Sequence, residues 1–312
     1  MILIPILLLL LALAFLLALG VVFRIVFYSP RRGRAENPFD IPSAEQYQVQ
    51  RGRMKALIQS FYDLPCEHVY IRSHDGLRLH ARYYHVADGA PLEIECHGYR
   101  GSAIRDFCGG SEIGRSRGHH VLLIDERAHG ESDGRVISFG INERLDCLDW
   151  IRYSVSRFGP EVKILLAGVS MGAATVLMAA ELPLPENVVG IIADCPFSAP
   201  EAIIRTVARS ARLPDRLLMP LVRLSAGMFG KFDLRAASAV EAVRHTPVPI
   251  LVIHGEDDRF VPCDMSRQIR AANPDRVTLL TFPGAGHGLS YIVDTPRYTR
   301  AVCDFEDSLN FH

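Results

Sequence analysis

Residues 163–182, KILLAGVSMGAATVLMAAEL, constrain the fold of this 312-residue chain more than any other stretch. The apolar run 164–167 stops at Gly168-Val169-Ser170-Met171-Gly172, and small and apolar residues follow. The pattern reads as strand, sharp turn, helix. A serine on such a turn is held in a strained backbone conformation, so its neighbours must be small. Gly168 and Gly172 meet that need, and Ala173 and Ala174 let the helix pack close behind. Ser170 then sits at a helix N-terminus, where the dipole and free N–H groups favour developing negative charge. The same Gly-x-Ser-x-Gly spacing occurs at 114–118 and 130–134. The first lies in a charged stretch with no apolar run leading in, and the second is followed by Arg135. Both read as loops, which leaves Ser170 as the expected nucleophile.

Around this stretch, short apolar runs alternate with helical patterning. Runs at 92–94, 121–124, 164–166, 188–192, 250–253 and 277–280 read as buried strands, with helices at 142–157 and 264–272 among those between them. Two further strands, at 67–71 and 77–85, flank His74-Asp75-Gly76, a hairpin signal. Such alternation implies an α/β domain with a largely parallel central sheet. One interval breaks the rhythm. Residues 199–246 show helical patterning without a strand and hold eight Lys/Arg against four Asp/Glu. They are expected to form a small helical cap. Ile203, Leu217, Leu218, Met219, Met228 and Phe229 either line an acyl pocket there or simply pack the cap onto the domain.

The N-terminus has a different character. Residues 2–23 carry no charge and are long enough, at about 1.5 Å per residue, for a hydrocarbon core of roughly 30 Å. A signal peptide would show a basic leading segment and a shorter apolar core, so a retained transmembrane helix is expected. Arg24, Arg31, Arg32 and Arg34 follow the span, which places the remaining chain on the cytoplasmic side. The expected organisation is an anchor at 1–28, a juxtamembrane linker and helix at 29–65, and a catalytic domain at 66–312. Within the second, 37–42 reads as linker, and Ser43 with Gln46 suggests a capping box opening a helix that runs to about Asp63. Arg51, Arg53 and Lys55 on that helix face either anionic headgroups or water.

Composition narrows the function classes. A formal net charge of −1 gives no reason to expect a nucleic-acid partner. The seven cysteines are odd in number, scattered and free of C-x-x-C, which argues against a disulfide framework or zinc site.

A serine nucleophile needs a base, the base needs an orienting carboxylate, and the reacting oxygen needs two donors. Residues 250–262, ILVIHGEDDRFVP, read as a strand ending in a loop that carries Asp257 and Asp258, either of which qualifies. His287 lies in the Gly-rich loop 283–288 after the last strand, where glycines let the chain fold back over the sheet edge. With these in place the chain resembles an α/β-hydrolase-fold serine hydrolase of the serine-aminopeptidase-like and lysophospholipase-like branch. The resemblance rests on H-G-x-x-G-S at 97–102, D-x-R-x-H-G-x-S-x-G at 125–134, G-V-S-M-G at 168–172, H-G-x-x-D-x-x-V-P at 254–262 and G-H-G at 286–288. It covers about residue 67 to the C-terminus and keeps the order Ser, Asp, His.

That resemblance implies an α/β-hydrolase fold, with a mostly parallel central sheet flanked by helices and a small helical cap. It implies Ser170 as nucleophile, His287 as base and Asp258 as the acid, because the family acid opens D-x-x-V-P. The backbone N–H groups of Tyr99 and Met171 are the implied oxyanion donors. His97, His129 and His254 belong to structural turns, and neither metal nor cofactor is implied. The expected substrate is a small-molecule acyl ester or thioester, a lipophilic one with lipids included. Amide or peptide hydrolysis is the alternative, and a non-catalytic membrane-tethered scaffold the remote one.

Overall fold

The computed structural model describes residues 3–30 and 37–311. Met1 and Ile2, together with Arg31, Arg32 and Arg34 of the flank used for orientation, lie outside the described residues. Eight strands form one sheet: β1 (Glu67–Arg72), β2 (Arg78–Tyr84), β3 (Leu92–Cys96), β4 (His120–Asp125), β5 (Ile164–Val169), β6 (Val188–Asp194), β7 (Ile250–Gly255) and β8 (Val277–Phe282). Their order is β1-β2-β4-β3-β5-β6-β7-β8. β1, β2 and β4 pair antiparallel, and every other pair is parallel. The 73–77 turn joins β1 to β2 through Ser73 and Leu77, with Gly76 at φ 89° as a tight hairpin requires.

The helices are α1 (Leu3–Val26), α2 (Glu45–Tyr62), α3 (Ala103–Phe107), α4 (Gly110–Ser116), α5 (Glu143–Phe158), α6 (Met171–Ala179), α7 (Pro200–Ser210), α8 (Asp215–Ser225), α9 (Ala239–Val243), α10 (Asp264–Ala272), α11 (Ser290–Val293) and α12 (Thr295–Ser308). A π-helical turn, Ala226–Gly230, extends α8. The sheet is buried on both faces, as continuous apolar strands demand. Trp150 and Ile151 of α5 and Val176 and Leu177 of α6 cover one face. Met54, Ile58 and Phe61 of α2, with residues of α3, α4 and α12, cover the other.

A third apolar cluster sits over the C-terminal edge and includes Ile203, Met219, Val222 and Phe232. The expected cap is therefore helical, but it is not free-standing. Phe27, fully buried, enters this cluster, with its ring 5.3 Å from Phe232 and 5.9 Å from Phe139. The chain just beyond α1 then pairs with the domain, Ile137 N–H donating to Phe27 O at 2.8 Å and Ser29 N–H to Arg135 O at 2.9 Å.

The capping box is corrected. α2 begins at Glu45 with Ala44 as its N-cap and no side-chain cap. Ser43 is exposed, and Gln46 lies against Gly286, where a Cβ would overlap its Oε1. A contact to a loop 240 residues away outcompetes the local hydrogen bond.

Candidate active site

The parallel strands β3, β5, β7 and β8 all end at one edge, because their registers align Cys96 with Gly168 and Gly255 with Phe282. The loops that follow carry Tyr99, Ser170, Asp258 and His287. Ser170 occupies φ 56°, ψ −111°, a strained conformation for a residue with a Cβ. The flanking glycines explain how it is held. A Cβ on Gly172 would overlap the Cys96 carbonyl, and one on Gly168 would overlap the Gly172 carbonyl. The helix therefore starts against the backbone of β3, a distance only glycine allows. Ser170 N–H donates to Asp194 O at 2.8 Å, and Ala174 N–H to Ser170 O at 3.0 Å.

His287 Nε2 lies 2.9 Å from Ser170 Oγ, and its Nδ1 lies 2.7 Å from Asp258 Oδ2. Asp258 Oδ1 accepts from Phe260 N–H and Val261 N–H, both at 2.8 Å. Burial alone would raise this carboxyl. The hydrogen bonds from His254 and His287 and the Val261 N–H overcome burial and hold it far below the usual carboxylate range. Asp257 takes no part: its N–H donates to Ala285 O, and its side chain is exposed. Ser170, Asp258 and His287 are thus brought together from three loops. Such a relay can remove the hydroxyl proton as Oγ attacks an electrophilic carbon.

Met171, fully buried, is the first residue of α6, so its N–H is one of the donors a helix start leaves free. The turn carrying Tyr99 runs close by, and a Cβ on Gly98 would meet Ser170 Cβ at 3.4 Å. It is held on both sides of Tyr99: Gly98 N–H donates to Asp106 Oδ2 at 2.9 Å, and Arg100 N–H to His129 Nε2 at 3.0 Å. His97 Nε2 accepts from Glu126 N–H at 3.1 Å, and His254 bonds Ser266 and Val261, so all three histidines serve turns.

Two supports lay beyond sequence reasoning. Tyr47 of α2 donates its hydroxyl to His287 O at 2.9 Å. At the end of α1, Tyr99 Oη donates to Val26 O at 2.8 Å, and Arg100 donates to Ile25 O and Tyr28 O at 2.9 and 3.1 Å. The orphan carbonyls of the apolar helix are thus satisfied by the loop that carries Tyr99, with a cation at the negative end of the dipole. Only the aromatic side chain and the arginine at 99 and 100 could have signalled this.

A cavity of about 1000 Å³ opens at Ser170 and runs beneath α2. Tyr47, Met54, Phe107, Ile113, Tyr291 and Ile292 supply its apolar wall, with Glu93 and Glu95 also lining it. Burial pushes the Glu95 carboxyl well up, and Ser111 Oγ donates to it at 2.5 Å. Of the two alternatives for the six cap residues, lining an acyl pocket or packing the cap, the first is not met: none of the six lines this cavity. Ile203 and Met219 pack in the third cluster, and Leu217, Met228 and Phe229 are exposed. The cap faces α1, and the cavity lies on the α2 side of the serine.

Among the described residues, Cys195, Asp258 and His287 bring ligand atoms within 4.8 Å of one another, as do Glu93, His119 and Glu306. In each group one hydrogen-bonded pair forms the core, Asp258 with His287 and Glu93 with His119, the latter at 2.7 Å.

Residues 96–302 match the profile described as the Alpha/beta hydrolase family. Among relatives, the uncharacterized protein YqkD of Bacillus subtilis is 27% identical over 230 residues, covering 73% of this chain and 75% of its own. Lysophosphatidylserine lipase ABHD12 of Danio rerio is 28% identical over 208 residues, covering 61% of this chain, and the match spans 51% of that protein. A Pyrococcus furiosus esterase superposes with a TM-score of 0.64 at 23% identity, covering 81% of this chain and 93% of that one, a likeness of fold.

Proposed function

The chain belongs to the alpha/beta hydrolase family, and from that premise we propose that it is a membrane-anchored serine hydrolase cleaving carboxylic esters or thioesters of lipophilic acyl groups. The observation that carries the reading is the unbroken relay from Ser170 through His287 to Asp258, at 2.9 and 2.7 Å, on a serine at φ 56°.

Ser170 Oγ attacks the acyl carbonyl carbon while His287 Nε2 takes its proton. Asp258 holds the imidazole as the Nδ1–H tautomer and stabilises the cation that forms. The Met171 and Tyr99 N–H groups receive the oxyanion, each worth about 2.7–4 kcal/mol by the cost of removing such a donor. The tetrahedral centre collapses, His287 gives its proton to the departing alcohol or thiol, and Ser170 is left acylated. Water, deprotonated by His287, attacks the acyl-enzyme and releases the acid. The apolar wall of the cavity suits the acyl chain, and α1, whose side chains are exposed over residues 3–18, suits a bilayer span. The catalytic domain is assigned to the cytoplasmic side, on Arg24 and the arginines that follow it.

A second reading, an aminopeptidase-like amide hydrolase, draws on the two cavity glutamates, which could receive a free amino group. Ser170→Ala tests the first reading: it should abolish both fluorophosphonate labelling and turnover of p-nitrophenyl esters. Labelling that persists moves the nucleophile elsewhere. Turnover of aminoacyl amides in preference to every ester of a graded chain-length panel selects the second reading.

A further inference from the structure

α8 is apolar on two opposite faces. Met219, Val222 and Ala226 are buried against the cluster that holds the end of α1. The other face carries Leu217, Leu224 and Met228, preceded by Leu213, with Leu217 73% exposed. Leu217 and Leu224, seven residues apart, share one face of α8, and Leu213 and Met228 extend the exposed apolar run at its two ends. Arg216 and Arg223 lie between the two faces, so the outer apolar stripe calls for a cover of its own, protein or lipid. Among the described residues, nothing covers this stripe.

The stripe continues into the apolar surface of α1. Phe229, also exposed, lies with its ring 5.6 Å from that of Phe23. Phe23 belongs to the same turns of α1 that expose Val21 and Ile25 on their far side. If α1 spans a bilayer, Val21 and Ile25 sit at or near hydrocarbon depth, and α8, packed alongside, comes to the same level. Charge points the same way. Arg205 and Arg209 pair with Asp215, Arg223 with Glu201, Arg235 with Asp233 and Arg244 with Glu241. Arg212, Arg216 and Lys231 are exposed and have no carboxylate partner among the described residues. An apolar stripe beside unpaired cations is the pattern of a helix lying in an anionic membrane surface.

We propose that α8 and the π-helical turn after it form a second membrane contact, seated in the interface of an anionic bilayer where α1 leaves it. The inference rests on the reading of α1 as an anchor and extends it. Because the same turns of α1 hold Tyr99 and Arg100, this contact fixes the height of the Ser170 edge above the lipid.

The test uses the full chain in vesicles of phosphatidylcholine and phosphatidylserine, with plain or brominated acyl chains. Trp150 is the only native tryptophan and is fully buried, so it supplies a constant background. Leu217→Trp and Leu224→Trp each place a reporter on the stripe, and Leu10→Trp places one in the anchor. Quenching of the added signal by about twofold or more at 217 and 224, as at 10, is the expected result. Quenching at 10 alone overturns the proposal. A blue shift at 217 that grows with protein concentration, without quenching, also overturns it and assigns the stripe to a second copy. Absence of quenching at all three positions overturns the anchor reading and this one together. Fluorophosphonate labelling at the wild-type rate reports that each variant is folded.

Discussion

Asp258→Asn isolates one hydrogen atom. In the structure Asp258 Oδ1 accepts two backbone N–H groups, from Phe260 and Val261 at 2.8 Å each, and Oδ2 faces His287 Nδ1 at 2.7 Å. An asparagine in the same pocket keeps its oxygen on the two N–H donors, because its NH₂ cannot accept from them. The NH₂ is then forced onto His287 Nδ1. That nitrogen must become the acceptor, which moves the ring proton to Nε2, pointing at Ser170 Oγ 2.9 Å away. The base now presents N–H to a hydroxyl it should deprotonate. The size of the side chain and the two backbone hydrogen bonds are unchanged, but Oδ2 also faces His254 Nε2 at 3.3 Å and that contact is lost, so Tm should fall while the chain stays folded. Loss of the correct tautomer costs about 10⁴ in kcat, or about 5.5 kcal/mol of barrier. The assay is kcat for a short, soluble p-nitrophenyl ester, with melting of the same samples as the fold check. A kcat within about tenfold of wild type refutes the reasoning. Loss on Asp257→Asn instead would hand the role to that neighbour.

Tyr99→Phe keeps the backbone N–H but removes the hydroxyl that reaches Val26 O at 2.8 Å. A hydrogen bond worth about 0.5–1.5 kcal/mol predicts a kcat lower by about twofold to tenfold at constant KM, and an unchanged kcat means α1 does not position this loop. Ile113→Trp fills part of the cavity wall, so long-chain esters should lose about tenfold or more in kcat/KM relative to acetyl esters. Equal loss at every chain length counts against an acyl chain lodging there. Glu306 tests the buried charge network beneath the sheet. Burial first, then Glu93, pushes its carboxyl up to about 8 despite Arg117. The folded value exceeds the unfolded one of about 4.3, so the unfolded chain releases its proton first, and stability falls as pH rises from about 4 through about 8. Against a Glu306→Gln reference, wild-type Tm should drop over that window, and parallel curves would refute the assignment.

What was legible in the sequence, and what was not, divides by the range of the interactions. Ile164–Val169 followed by Gly-x-Ser-x-Gly declares strand and elbow because the steric demand is local: Gly168 and Gly172 face their obstacles within one turn and one neighbouring strand. The loops carrying Asp257, Asp258 and His287 are legible once the sheet is parallel, since both leave its C-terminal edge. Topology does not choose between the two aspartates, and only the D-x-x-V-P resemblance favours Asp258. The cavity obeys no such rule. An apolar helix residue packs a core or lines a pocket with the same side chain, and only the docking of whole elements separates the two outcomes. Leu217 and Met54 are comparable in composition and helical context, yet the first is 73% exposed beside α1 and the second walls the cavity under α2. Gln46 makes the point at atomic scale. Its spacing from Ser43 fits a capping box, and a glycine-lined notch at Gly286 takes the side chain instead. α2 therefore does more than connect: through Tyr47 it touches the His287 loop, and through Met54 the space in front of Ser170. With the Tyr99 turn held by the end of α1, both sides of the candidate site lean on α1 and the segment that follows it. A variant trimmed of its first 62 residues should accordingly lose catalysis, which a soluble ester assay can read directly.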